Sequence, residues 1–168
     1  MSNEILENIA KIQTRINDAC QRSGRNPAEV KLLLATKTVP AEKIRIALEN
    51  GYTLIAENKV QELVDKWEVL PKDIQWHLIG HLQSNKVKYI APFVSLIHSV
   101  DSFKLLQEIN KQGEKAGRVI PCLLQFHIAQ EESKFGLSFE EAEEILQSRE
   151  FVEMHHVSIH GLMGMASF

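Results

Sequence analysis

Apolar and polar positions alternate between two periods along the 168-residue chain. Short apolar runs are followed by stretches in which apolar residues recur every three or four positions, which is the spacing of one helix face. Six such runs predict strands, over residues 31–36, 52–56, 74–79, 94–100, 119–128 and 156–163. Because a helical stretch separates each strand from the next, the pattern predicts a parallel sheet with helical crossovers.

Helix signals support this division of the chain. One apolar face on an opening helix is formed by Ile5, Ile9, Ile12 and Ile16. Pro40 is expected in the first turn of the helix after the first strand. Asp101 is expected to cap the helix after the fourth strand, and Ser138 with Glu141 has the spacing of a capping box.

Two architectures match six alternating strands and helices, a doubly wound sheet and a (β/α)₈ barrel. No Gly-x-Gly-x-x-Gly follows the first strand, which disfavours a dinucleotide-binding sheet. Polar residues instead gather at the predicted strand ends: Lys37, Glu57, Asn58, His81, His98, Ser99, His127 and His160. Since a barrel builds its active face from those ends, we expect an α/β fold of the TIM-barrel type.

The predicted strand count is lower than a full barrel requires. A barrel of this kind typically has eight strands and roughly 250 residues, whereas six are predicted before Phe168. We therefore expect a single barrel domain over residues 1–168 that is incomplete at its C-terminus. The alternative is a sheet closed by something outside this sequence.

Composition narrows the possible functions. With 44% hydrophobic and 24% charged residues the chain is typical of globular proteins, and its net charge of −3 shows no basic footprint for nucleic acid or an anionic membrane. The first eight residues include two acidic ones where a signal peptide needs an apolar core, so we expect a cytoplasmic protein. Although seven histidines are present, His77 and His81 straddle a strand end and a glycine, so no metal site is predicted.

Lys37 is the first candidate for chemistry, since it follows an apolar run that predicts a strand buried on both faces. Spacing alone favours a lysine whose ammonium extends to solvent. In the alternative, apolar surroundings favour the neutral amine, which can attack an aldehyde and form a Schiff base. Pyridoxal phosphate is the usual aldehyde cofactor held in this way.

Asn58, one strand over, is either a helix cap or an amide that bonds a ligand's ring hydroxyl.

Ordered segments of the chain resemble the pyridoxal phosphate homeostasis protein family, the YggS/PROSC-like proteins. The matching segments are 33–38, 57–62, 76–88, 97–102, 123–125, 132–136 and 161–163. The resemblance implies a barrel like the N-terminal domain of bacterial alanine racemase, with pyridoxal 5'-phosphate on Lys37 as a Schiff base. It also implies further cofactor contacts from Asn58, His81, His127 and Met163, and no catalytic residue.

The function implied by the resemblance is to bind, buffer or deliver the cofactor in vitamin B6 homeostasis. Partners would be the cofactor and apoenzymes that depend on it, and the protein would be a monomer or weak dimer. The family's segments that hold the cofactor phosphate have no counterpart before Phe168, and His127 stands where asparagine is common.

Two alternatives stay open. One is an enzyme resembling an amino-acid racemase, which needs a second acid/base group besides the lysine. In alanine racemase a tyrosine from a separate domain has that role, whereas Tyr52 and Tyr89 lie in no matching context here. The other alternative is an inert, incomplete barrel.

Overall fold

The computed structural model describes residues 2–128 and 135–165, which contain a six-stranded parallel sheet. Its strands are β1 (Leu34–Ala35), β2 (Leu54–Glu57), β3 (Gln75–Leu78), β4 (Leu96–Val100), β5 (Ile120–Phe126) and β6 (Val157–Gly164). Neighbours in the sheet are also neighbours in sequence, and each adjacent pair is parallel. Right-handed crossovers between such strands place the helices on one face, which gives a partial TIM-type barrel. The predicted α/β fold class is confirmed.

One helix precedes β1, and the others connect successive strands, as the apolar periodicity predicts. They are α1 (Ser2–Ser23), α2 (Ala41–Leu48), α3 (Val60–Val69), α4 (Val87–Ile90), α5 (Phe103–Ala116), α6 (Phe139–Gln147) and α7 (Arg149–Val152). Short 3₁₀ turns lie at Pro27–Glu29 and Ser84–Lys86. No helix in the described part of the chain is long and apolar enough to cross a membrane.

Two of the three helix-start signals need correction. Ser138 and Glu141 form the predicted capping box at the start of α6. Pro40 takes the N-cap position just before α2 rather than its first turn. Asp101 does not cap α5 as predicted, because the N-cap is Ser102, whose hydroxyl accepts the Leu105 N–H. The Asp101 carboxylate is bonded elsewhere, to an imidazole of the site described below.

The prediction of a first strand buried on both faces is wrong. β1 is only two residues long, with Leu34 partly buried and Ala35 exposed. Among the described strands it pairs with β2 alone, so it is an edge strand. An edge strand gains cover from the helices on one face and from a neighbour on one side only.

The core lies between the sheet and the helices. Its largest fully buried side chains include Ile55, Leu63, Trp76, Leu78, Ile97, Leu106 and Ile109. Because successive strand side chains point to opposite faces, Glu57 of β2 faces α3, whereas the next residue, Asn58, faces the other side of the sheet. Cys20 and Cys122 are buried without a disulfide, and burial raises the pKa of the Cys122 thiol to about 12.

Candidate functional site

A pocket of about 610 Å³ lies at the carboxyl edge of the sheet. Its lining residues are Lys37, Asn58, Ile79, Gly80, His81, Gln125, Phe126, His127, Ile128, Phe135, Met163 and Met165. All five residues proposed from the sequence as ligand contacts are in this set, although they come from five different strands or strand ends. Their roles in binding stay predictions. The volume is within the range usual for small-molecule sites.

Lys37 reaches this pocket from the loop after β1 and is exposed. The apolar run before it therefore does not enclose its amine, contrary to the reason given from the sequence. The loop is unusual at the next position, since Thr38 has a φ of 62°, in the left-handed region that β-branched residues rarely adopt. The Thr38 N–H donates to Oε1 of Glu62 over 2.7 Å, which ties the loop to α3.

Asn58 is placed in the pocket by a close approach of two strand ends. A Cβ atom on Gly80 would lie 2.1 Å from the carbonyl oxygen of Asn58, so only glycine allows β3 to continue past this point. The alternative role of Asn58 as a helix cap is wrong, because Lys59 is the N-cap of α3 and no side chain caps it. Asn58 thus lines the pocket, and its side-chain amide has both donor and acceptor groups.

His81 has a defined orientation on the pocket wall. Its ring stacks on Phe135 with 3.9 Å between centroids and 15° between planes. Its Nδ1 lies 3.2 Å from Oδ2 of Asp101. A carboxylate on Nδ1 makes that nitrogen the donor, so the neutral ring keeps Nε2 as an acceptor.

Other histidines predicted at strand ends lie outside the pocket lining. Nδ1 of His77 is 2.8 Å from Nε2 of His98, a distance at which one neutral ring donates to the other. Burial, followed by the nearby His98 and Lys31, lowers the pKa of His77 to about 4, and burial also lowers the pKa of His98. His160 instead pairs with Ser158 over 2.9 Å. No group of three metal-ligating side chains occurs in the described ranges.

The loop after β5 is only partly within the described residues. Residues 132–134 of the segment proposed from the resemblance lie outside them, whereas Phe135 and Gly136 lie inside. Gly136 has a φ of 148°, and a Cβ there would lie 2.3 Å from the His127 nitrogen. Leu137 then bridges to Phe126, so this glycine brings the chain back against the end of β5.

Sequence reasoning missed a buried ionic cluster beneath the Lys37 loop. Lys66 of α3 donates to the Thr36 carbonyl at 2.7 Å, to Glu57 Oε1 at 2.6 Å and to Glu62 Oε1 at 2.7 Å. Lys66 is 7% exposed and Glu57 is fully buried. The hydrogen bond from Lys66, together with the one from Thr38, lowers the pKa of Glu62. A signal was present, since Lys66 continues the apolar stripe of α3 three positions after Leu63.

The fold and the pocket define an α/β barrel segment with a lysine at a ligand-sized cavity, and comparison with known proteins places it in a family. Residues 3–168 match the family model described as alanine racemase, N-terminal domain. The pyridoxal phosphate homeostasis protein of Aquifex aeolicus is 40% identical over 158 residues, which are 94% of this chain and 68% of that protein.

Two solved structures have the same fold. A structure described as an unknown protein from Bifidobacterium adolescentis superimposes with a TM-score of 0.89 at 32% identity, covering 98% of this chain and 70% of that one. PipY of Synechococcus elongatus, solved with pyridoxal phosphate bound, gives 0.75 at 30% identity, covering 91% and 71%. The chain therefore belongs to the alanine racemase N-terminal domain family and, within it, to the pyridoxal phosphate homeostasis proteins.

Proposed function

We propose that this protein binds pyridoxal 5'-phosphate in the pocket and serves intracellular vitamin B6 homeostasis, with the cofactor held covalently on Lys37. The main observation in support is that Lys37 and the four other predicted contacts line one pocket of about 610 Å³. The name of the Aquifex relative and the bound cofactor in PipY support the same proposal.

The pocket residues suit this ligand. The cofactor supplies an aldehyde on a planar, polar ring. The amine of Lys37 would hold the cofactor through a C=N bond formed with loss of water, and the cofactor, when bound, would supply the aldehyde carbon of that bond. Asn58 offers an amide to a ring oxygen, and the His81 imidazole, which stacks on Phe135 with one face, offers its other face to the cofactor ring. Met163 and Ile128 supply apolar contacts.

A carrier or buffer role is favoured over catalysis. Tyr52 and Tyr89 lie outside the pocket lining, so neither supplies the second acid/base group that a racemase needs. We place the protein in the cytoplasm as a monomer or weak dimer, with cofactor-dependent apoenzymes as recipients.

One observation supports an enzyme as the second candidate function. The imidazoles of His81 and His127 line the same pocket as Lys37, and imidazole is the commonest acid/base group in catalysis. Chiral chromatography of L-alanine incubated with the cofactor-loaded protein separates the two roles. Formation of the D-isomer above a Lys37→Ala control supports the enzyme, and its absence supports the carrier.

The proposal is tested by titrating the protein with pyridoxal 5'-phosphate and recording the visible absorbance. Wild type should develop a saturable band that Lys37→Ala lacks. Lys104→Ala is the matched control, because Lys104 is an exposed lysine on α5 outside the pocket lining. A wild-type spectrum identical to that of Lys37→Ala would contradict the proposal and favour the alternative of an inert barrel.

A further inference from the structure

Both backbone neighbours of Lys37 are anchored by one ionic cluster centred on the buried Lys66. The carbonyl of Thr36 accepts a hydrogen bond from Lys66 Nζ, and the N–H of Thr38 donates to Glu62, which itself accepts from Lys66. We propose that Lys66 is the positioning residue for Lys37, holding the residues on either side of it so that its amine points into the pocket. This inference rests on the proposed function of Lys37.

Lys66 has the contacts of a buried structural residue rather than those of a surface charge. An ammonium has three donors, and three acceptors at the ends of β1 and β2 and on α3 lie 2.6 to 2.7 Å from it. Glu57, one of the three, also accepts the hydroxyl of Thr36. The cluster therefore joins the ends of two strands to the helix behind them through one buried nitrogen.

Glu62 links Lys66 to Thr38, the residue that follows Lys37. One of its oxygens accepts from both Lys66 and the Thr38 N–H, each at 2.7 Å. Thr38 is a β-branched residue in the left-handed region, a conformation that persists only where its surroundings impose it. The Glu62 carboxylate is the group that holds its N–H.

The position of the Lys37 amine depends on these anchors because the lysine is itself exposed. Burial of its own side chain does not fix the direction in which its Cα–Cβ bond points. The backbone at Thr36 and Thr38 does, and a misplacement of about 1 Å is enough to slow reaction of a positioned group by roughly a hundredfold.

The experiment compares Lys66→Met with two further variants. Glu62→Ala removes the Thr38 acceptor while leaving Lys66 and Glu57 paired, so it is expected to fold even if Lys66→Met does not. Arg118→Met is the matched control. Arg118 donates to the Ala91 and Val94 carbonyls at the amino edge of the sheet, far from the Lys37 loop.

Two quantities are measured on each folded variant. One is the rate at which pyridoxal 5'-phosphate, trapped with borohydride, labels the Lys37 peptide. The other, in protein without cofactor, is the hydrogen-exchange rate of the Thr38 amide. Lys66→Met and Glu62→Ala should slow labelling about tenfold or more and speed Thr38 exchange by about the same factor. Arg118→Met should change both less than about twofold.

Each outcome decides the inference. Retention of either wild-type rate in folded Lys66→Met, or in Glu62→Ala if Lys66→Met does not fold, overturns it. If the wild type itself is not labelled, the proposed cofactor binding fails. The positioning role of Lys66 is then tested by the exchange rate of the Thr38 amide alone, which needs no cofactor.

Discussion

Lys66 Nζ lies 2.6 Å from Oε1 of Glu57, and the Glu57 side chain is fully removed from solvent. A buried ion pair of this kind is costly to break from one side, because the remaining charge stays buried without compensation. The pair bonds α3 to the end of β2, beneath the loop that carries Lys37.

The first prediction concerns the stability of that pair. Lys66→Met should lower the free energy of unfolding by about 3–5 kcal/mol, because it leaves the Glu57 carboxylate buried and unpaired. Adding Glu57→Gln removes that charge and should restore at least about 1 kcal/mol. Urea unfolding measures both values. A loss below about 1 kcal/mol in the single variant would contradict a buried ion pair.

The second prediction is a pH dependence from His77. Its pKa is lowered to about 4 in the fold, so below pH 6.5 the unfolded chain takes up a proton that the folded chain refuses. The stabilisation is complete above pH 6.5 and is lost as pH falls towards 4. After allowing for solvent screening, the loss should be about 1–2 kcal/mol.

Unfolding measured across this pH range tests the His77 effect. His77→Gln should flatten the slope between pH 6.5 and 4, whereas His155→Gln should not, because His155 is exposed. Equal slopes in wild type and His77→Gln would show that another group is responsible.

The third prediction uses the close approach at Gly80. Gly80→Ala would place a methyl group 2.1 Å from the Asn58 carbonyl, so the two strand ends must separate. We expect a stability loss of about 1–3 kcal/mol and at least roughly tenfold weaker cofactor binding, an order-of-magnitude figure for a displaced contact. Calorimetry and absorbance titration measure the two effects.

Gly51→Ala is the control for this substitution. Gly51 has a φ of 84°, and a methyl group added there would meet nothing within 4 Å, so alanine costs about 1–2 kcal/mol of backbone strain alone. It should leave cofactor binding unchanged. Equal binding by both variants would mean that Asn58 is not held by the approach of Gly80.

The fourth prediction concerns the capping box that starts α6. Ser138→Ala removes the hydroxyl that accepts the Glu141 N–H and should cost about 1 kcal/mol. Ser138→Asn, which keeps an acceptor, should recover most of it. A thermal shift as large in Ser138→Asn as in Ser138→Ala would argue that packing, not capping, sets the cost.

The strand order could be predicted because it depends on local information. Apolar periods differ between strands and helices, and right-handed crossovers between sequential strands leave few topologies. The capping box was also predictable, because Ser138 and Glu141 are three positions apart. The choice of Ser102 over Asp101 was not, since Asp101 is engaged by His81 from another loop.

The candidate site was predicted where residues share the carboxyl edge of the sheet, and missed where partners are distant in sequence. Lys37 and His81 could be placed at strand ends from the pattern alone. Lys66 could not be linked to Thr36, 30 positions earlier, without the packing of α3 on the sheet. His98 was grouped with the strand-end residues from the pattern, but its ring contacts His77 instead. The direction of its side chain depends on the alternation along β4, where the register with β5 is irregular.

Peptide mapping after borohydride reduction tests the assignment of Lys37 most directly. The protein is incubated with equimolar pyridoxal 5'-phosphate, reduced, and measured as an intact mass before digestion. We predict a single added phosphopyridoxyl group, located on the Lys37 peptide in wild type and in Lys104→Ala, and absent from Lys37→Ala. Label distributed over several exposed lysines, or label of equal extent in Lys37→Ala, would contradict a cofactor site at Lys37.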